Sequence, residues 1–225
     1  MTDILEQHPK VTIILLAAGK ASRFGSDEDN KLLAEFEGVP LVRRAALRAS
    51  KSNANSVIVV VGFQAVDIIS VLAGLPINIA TNRDFPLGIS SSLMAGLTMP
   101  EARSADGVLV MLADMPTIST LNLNSVIDAF AADDGRSIVV AAHGGVRGNP
   151  VIIPKSLFGD LMFLEGDVGA RNIIRHSGIP IVEVEIGAAA LHDVDTTEAV
   201  IAAGGTVLPF QSRPNMPLFS ETFRL

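Results

Sequence analysis

The sequence predicts an α/β fold, a three-layer, doubly wound and mostly parallel sheet. Three observations predict it. Val11–Leu16, Ser56–Val61 and Val108–Ala113 are nearly continuous apolar runs. A strand buried on both faces shows no polar alternation, and such strands build parallel sheets covered by helices. Segments with helical spacing separate the runs. Each run also stops at small or turn-forming residues: Ala17-Ala18-Gly19, Gly62, and Asp114-Met115-Pro116.

The elements follow in order. Residues 1–10 are a polar lead-in to the first strand. Pro40 opens a helix through Leu41, Val42, Ala45, Ala46 and Ala49, since proline suits a first turn. Val66, Ile69 and Leu72 have helical spacing after the second strand, and Ile77–Ala80 reads as a short third strand. Ser90-Ser91-Ser92 reads as a helix start, with serine hydroxyls expected to satisfy free N–H groups. A helix is predicted from Leu121 to Phe130. Strands are predicted at Ser137–Ala142, Val151–Ile153 and Ile181–Val184. Asp167 is expected to cap a helix through Ile173 and Ile174, and Thr196–Ala203 is the last helix. There is no internal repeat or long linker, so residues 1–205 read as a single domain. The segment 206–225, with Pro209, Pro214 and Pro217, reads as a tail that wraps the surface, meets a partner chain or is partly disordered.

Composition bounds the function. With 225 residues, 48% of them hydrophobic and 18% charged, the chain can bury a full core. Cysteine is absent, which excludes disulfides and thiolate metal sites. The net charge of −7 and the lack of Trp and Tyr argue against nucleic-acid binding. The apolar runs fall far short of the roughly 20 residues a membrane span needs. No signal pattern is evident at the start, and a cytoplasmic location is expected.

Several residues stand where α/β sheets bind ligands, at the carboxyl ends of strands. In Leu16-Ala17-Ala18-Gly19-Lys20-Ala21-Ser22-Arg23-Phe24-Gly25, Gly19 would let the chain turn off the strand. The two alanines would let a ligand approach the backbone. Ser22, Arg23 and Lys31 suit phosphate oxygens. An ordinary strand-to-helix loop fits the stretch equally well. It matches neither G-x-G-x-x-G nor the P-loop pattern. Asp114 could hold Mg²⁺, which takes one or two carboxylates plus substrate phosphates, or it could cap the next turn. Asp193 and Asp195 flank Val194 and would point the same way on an extended chain. Either they share a cation, or Asp195 or Thr196 caps the following helix. Gly148-Asn149-Pro150 and Gly166–Arg171 read as turns at element ends. Arg171 is either an anion contact or a surface arginine. Of the histidines, His143 is placed near the cleft, and His8, His176 and His192 show no metal spacing.

These pieces together resemble the MobA-like nucleotidyltransferase family, and most of all its molybdopterin cytidylyltransferase branch. The motifs are LAAGKASRFG…K at 16–31, Pro40-Leu41, GISSSLMAGL at 88–97, LADMP at 112–116, GNP at 148–150, GDVGAR at 166–171 and DVDT at 193–196. They span roughly residues 11–204 in the family's order.

The resemblance implies the Rossmann-like nucleotide-diphospho-sugar transferase fold and transfer of NMP from an NTP to a phosphorylated acceptor, releasing pyrophosphate. It assigns Leu16, Ala17, Ala18, Gly19, Ser22, Ser91 and Ser92 to nucleotide binding. Arg23 and Lys31 go to the triphosphate and, with Asp114, to catalysis. Asp114 and Asp195 go to Mg²⁺, and Asn149 and Arg171 to the acceptor. Ala-Ala-Gly, where guanylyl-transferring relatives carry Ala-Gly-Gly or Gly-Gly, points to CTP. Molybdopterin is the implied acceptor and a molybdoenzyme a possible client. Departures lie in Asn149 (often His), Met94 (often Arg) and the inserted Ser26–Asn30, and they bear on acceptor identity. Other acceptors, a non-catalytic carrier of a nucleotide-bearing cofactor, and an oxidoreductase on the same fold are the competing readings.

Overall fold

A computed structural model describes residues 8–20, 24, 30–164, 166 and 170–207. Strand β1 (Val11–Ala17) leads to a 3-10 turn at Lys31–Leu33 and then to two short strands, β2 (Glu35–Phe36) and β3 (Val39–Pro40). Helix α1 (Leu41–Ser50), β4 (Ser56–Val61), α2 (Ala65–Leu72) and β5 (Asn78–Thr81) complete the first half-wind. Helices α3 (Ile89–Leu97) and α4 (Pro100–Arg103) cross back to β6 (Gly107–Leu112). Then come α5 (Thr120–Ala132), β7 (Ile138–His143), β8 (Val146–Pro154) and α6 (Phe158–Leu161). The last elements are α7 (Arg171–His176), β9 (Ile181–Glu185), α8 (Thr197–Ala202) and β10 (Gly205–Thr206).

The main sheet has the order β5-β4-β1-β6-β8-β7-β9. All neighbouring pairs are parallel except those made by β8, which runs against both β6 and β7. Strand order reverses around β1: β4 and β5 lie to one side, β6 and beyond to the other. That reversal opens a crevice at the carboxyl ends of β1, β4 and β6, where doubly wound sheets take their ligands. A second sheet, β10-β2-β3, ties the segment after Lys31 to the end of α8.

Two apolar layers clothe the sheet and explain the unbroken strand runs. Ile13 and Leu15 of β1 face α1, α2, α5 and α8, through residues such as Val42, Ile68, Phe130 and Val200. Ile14 faces the other way, toward Leu93 and Leu97 of α3, Ala102 of α4 and Leu161 of α6. The sheet with helices on both faces is the three-layer arrangement expected.

Several local expectations differ. Gly148-Asn149-Pro150 is not a turn. It lies inside β8, which is longer than Val151–Ile153, and the Asn149–Pro150 bond is cis. Gly148 is demanded by a close approach, because a Cβ there would lie 2.0 Å from the Ala190 carbonyl oxygen. The serines of α3 do not cap it. Gly88 takes the N-cap position at φ 105° and ψ 177°, a region open essentially to glycine alone. Gly19 needs no left-handed backbone, and a Cβ at that position would meet nothing within 4 Å. Helix α7 begins after Ala170, with no side-chain cap, and Asp167 lies outside the described residues. Thr206, expected to start the tail, instead pairs with Glu35 in the small sheet. From 208 onward the tail also lies outside the described residues.

Candidate nucleotide and cation site

Lys31 reaches the crevice through a locally determined turn. Asn30 caps the 3-10 turn by accepting from the Leu32 N–H at 3.0 Å, and buried Leu32 and Leu33 anchor it. Asp114 lies two residues beyond the end of β6, after Ala113. Helix α5 has its own capping box, Ser119 with Asn122, so Asp114 caps nothing there. The Arg48 guanidinium donates to the Pro116 and Ile118 carbonyls and pins the loop beyond Asp114. Val194 is buried in the core, and its N–H donates to the Asp114 carbonyl at 3.0 Å. This clamps Asp193-Val194-Asp195 against Asp114 and turns both flanking carboxylates outward, as the alternation predicts. Thr196 caps α8 by accepting from the Ala199 N–H, so the cap and the carboxylate pair are separate residues.

The result is a compact charged cluster. The Lys31 ammonium donates to Asp114 Oδ2 at 2.6 Å and to Asp195 Oδ1 at 2.7 Å. One oxygen each from Asp114, Asp193 and Asp195 lies within 4.8 Å of the others. Burial disfavours a charge on Lys31, but the carboxylates of Asp114 and Asp195 outweigh it and hold the ammonium above the usual lysine range. Burial pushes the Asp114 carboxyl up. Lys31 pulls it back down, and the like charges of Asp193 and Asp195 add to the rise, leaving it above the ordinary carboxylate range. Among the described residues, three carboxylates converge beside the Lys31 ammonium, an arrangement that a further cation would stabilise. Asp114 Oδ1 is buried and has no hydrogen-bond partner among the described residues. An all-oxygen set with an unsatisfied acceptor fits Mg²⁺ or a similar hard cation.

The cluster borders a cavity of about 750 Å³ lined by Leu16, Ala17, Ala18, Gly19, Lys31 and Ser92, with Asp114 and Asp195 at its edge. Ser91 does not line it. Its hydroxyl donates to the Asp84 and Gly88 carbonyls, and Asn82 Nδ2 bonds both Ser91 and Ser92 at 2.9 and 3.0 Å. Ser22 and Arg23 lie outside the described residues.

Sequence reasoning missed the aromatic wall of this cavity. Phe63, after β4, and Phe85, after β5, meet edge to face at 6.4 Å, and Lys20 lies 5.7 Å from the centre of the Phe63 ring. Nothing in a 4% aromatic content singles these two out. Asn82, which orients the serines, carried no signal either.

A second cavity of about 710 Å³ adjoins the first, sharing Leu16, Ile89 and Leu112. Asn149 and Arg171 both line it, together with Arg147 and Arg175, which the sequence did not mark. Leu93, Val110, Val140, Val151, Ile153 and Ile174 supply aliphatic wall between these polar groups. His143 lines neither cavity. It bonds Glu185 at 2.9 Å on the exposed sheet edge.

Comparison with known proteins gives the family. Residues 13–182 match the model of the MobA-like NTP transferase domain, and the chain belongs to that nucleotidyltransferase family. Purine catabolism protein PucB of Bacillus subtilis is 27% identical, the alignment covering 84% of this chain and 94% of PucB. Nicotine blue oxidoreductase of Paenarthrobacter nicotinovorans is 29% identical over the same shares. Rv0371c of Mycobacterium tuberculosis, solved in complex with manganese, superposes with a TM-score of 0.71 at 22% identity, over 87% of this chain and 98% of its own. Among the described residues, no helix is long and apolar enough to cross a membrane.

Proposed function

We propose that this chain is a cytoplasmic enzyme that transfers CMP from CTP to a phosphorylated acceptor, with molybdopterin the favoured acceptor, and releases pyrophosphate. The observation that carries the reading is the convergence of Lys31, Asp114 and Asp195 at the mouth of a cavity floored by Ala17-Ala18-Gly19. The preference for CTP rests on the Ala-Ala-Gly sequence through its resemblance to cytidylyl-transferring relatives.

In this reading the nucleotide lies along Leu16–Gly19 and Ser92, with its triphosphate toward Lys31 and Arg23. Mg²⁺ or Mn²⁺, held by Asp114 and Asp195 with Asp193 beside them, supplies charge neutralisation when bound. The solution of Rv0371c with manganese supports a divalent ion in this fold. The acceptor occupies the second cavity, where Arg171 faces its phosphate and Asn149 its body. The shared wall of Leu16, Ile89 and Leu112 brings the two ligands together. An acceptor phosphate oxygen attacks the α-phosphorus in line, the bond to the β-phosphate oxygen breaks, and pyrophosphate leaves. The attacking oxygen is already anionic, so no strong base is needed. The protein contributes positioning and charge compensation.

The preference for molybdopterin over a sugar phosphate rests on the family resemblance. The second cavity sets aliphatic side chains beside Asn149 and the guanidinium groups of Arg147, Arg171 and Arg175, a lining that suits a phosphorylated acceptor.

A thermal shift experiment with CTP, GTP and NAD(P)H, each with Mg²⁺, tests the nucleotide assignment. CTP at about 100 times its dissociation constant should stabilise the fold by roughly 2.7 kcal/mol. Stabilisation by NAD(P)H and not by CTP would overturn the reading.

A further inference from the structure

We propose that Lys31 is a built-in counter-cation: in the metal-free protein its ammonium holds the divalent-cation seat between Asp114 and Asp195, and it leaves that seat for the triphosphate when metal and nucleotide bind together. The inference rests on the transferase reading and adds an order of events to it.

The geometry is specific. The ammonium bridges Asp114 Oδ2 and Asp195 Oδ1 at 2.6 and 2.7 Å. Those two carboxylates belong to the trio that converges within 4.8 Å. A divalent ion taking its oxygens at about 2.0–2.1 Å would sit almost on top of the ammonium, so the two cations compete for one place. The Lys31 side chain is 11% exposed, and among the described residues its ammonium donates to these two carboxylates.

The backbone around Lys31 is fixed. Asn30 caps the turn, the Ala34 N–H donates to the Lys31 carbonyl at 3.1 Å, and Leu32 and Leu33 are buried. Only the flexible four-carbon stem is left to move. Lys31 also lines the nucleotide cavity, so a swing of that stem carries the ammonium from the carboxylates toward phosphate oxygens.

Coupling follows from charge. A divalent ion alone evicts the ammonium and gives it no new anion. A triphosphate alone meets the carboxylates of Asp114, Asp193 and Asp195 while the Lys31 ammonium is still held by two of them. Bound together, the metal takes the carboxylates and the released ammonium takes phosphate oxygens, so each should tighten binding of the other, and by linkage to the same extent.

The test measures Mn²⁺ binding to the full chain without nucleotide, from the electron paramagnetic resonance signal of the free ion. Lys31→Met should bind Mn²⁺ about tenfold or more tighter than wild type, within the usual range of site coupling. Lys31→Arg should stay as weak as wild type, and CTP should tighten Mn²⁺ binding to wild type more than to Lys31→Met. Equal or weaker binding by Lys31→Met overturns the proposal, as does the absence of Mn²⁺ binding by both proteins. Should Lys31→Met fail to fold, ¹³C-lysine-labelled wild type gives the answer. Saturating Mg²⁺ should shift the Lys31 ε-carbon signal, and an unmoved signal refutes the exchange. Failure of the transferase reading would leave these metal results standing and appear only as a lack of CMP transfer.

Discussion

Asp114→Ala is expected to lower turnover by about a hundredfold or more, the order seen when a group that stabilises transition-state charge is removed. Asp114 stands at the end of β6, bonded to Lys31 and joined through its carbonyl to Val194. Alanine removes one carboxylate from the cation site and one of the two anchors of the lysine. The backbone bond to Val194 does not involve the side chain and should survive. The loss should therefore fall on turnover more than on fold, with an unchanged circular dichroism spectrum as the control. Lys31→Ala should cost a similar factor, because it withdraws the one described cation that bridges the cluster. The two effects should not add, since both residues serve one charge arrangement. Steady-state pyrophosphate release measures both variants, and near-normal turnover in the pair would dismantle the site assignment.

The largest stability loss expected is for Phe130→Ala, at about 3–5 kcal/mol from lost apolar burial plus the cavity left behind. Phe130 is fully buried on α5, against the sheet. Its ring fills the space that Gly107 leaves open: a Cβ at Gly107 would lie 2.5 Å from the ring's Cζ. Gly135 and Pro9 close in on the same region. For a chain of this size each kcal/mol moves the melting temperature by roughly 2–4 °C, so a fall of roughly 6–20 °C is expected. Phe130 lines neither cavity, so CTP binding well below the melting point should persist. A variant that melts like wild type would mean that α5 is not packed as described.

The strands were legible because burial on both faces leaves a mark in sequence. Ser56–Val61 and Val108–Ala113 read as strands for that reason, and the structure has strands at Ser56–Val61 and Gly107–Leu112. The small sheet was not legible, because β2, β3 and β10 are two residues each and carry no periodicity. Strand β8 was misread at one end, where Gly148 and Pro150 look like turn residues. Gly148 is small because the Ala190 backbone crosses it, a contact between segments distant in sequence. The site shows the same limit. Val194 between two aspartates announces alternation, and both carboxylates do face Asp114. But Lys31 is 83 residues from Asp114 and 164 from Asp195, and no local rule joins them. Family resemblance supplied that link. It also placed Ser91 beside the nucleotide; the Ser91 hydroxyl meets the Asp84 and Gly88 carbonyls, next to Ser92, which lines the cavity. Arg147 and Arg175 went unmarked because an arginine on an exposed strand or helix has no distinguishing pattern until the cavity is seen.

The most direct test of the account follows the α-phosphate of radiolabelled CTP in the presence of molybdopterin and Mg²⁺. Label should move to the acceptor with equimolar release of pyrophosphate, GTP should substitute poorly, and Asp114→Ala should abolish most of the transfer. Label that stays in CTP, or appears only as free CMP with the acceptor unchanged, would contradict it.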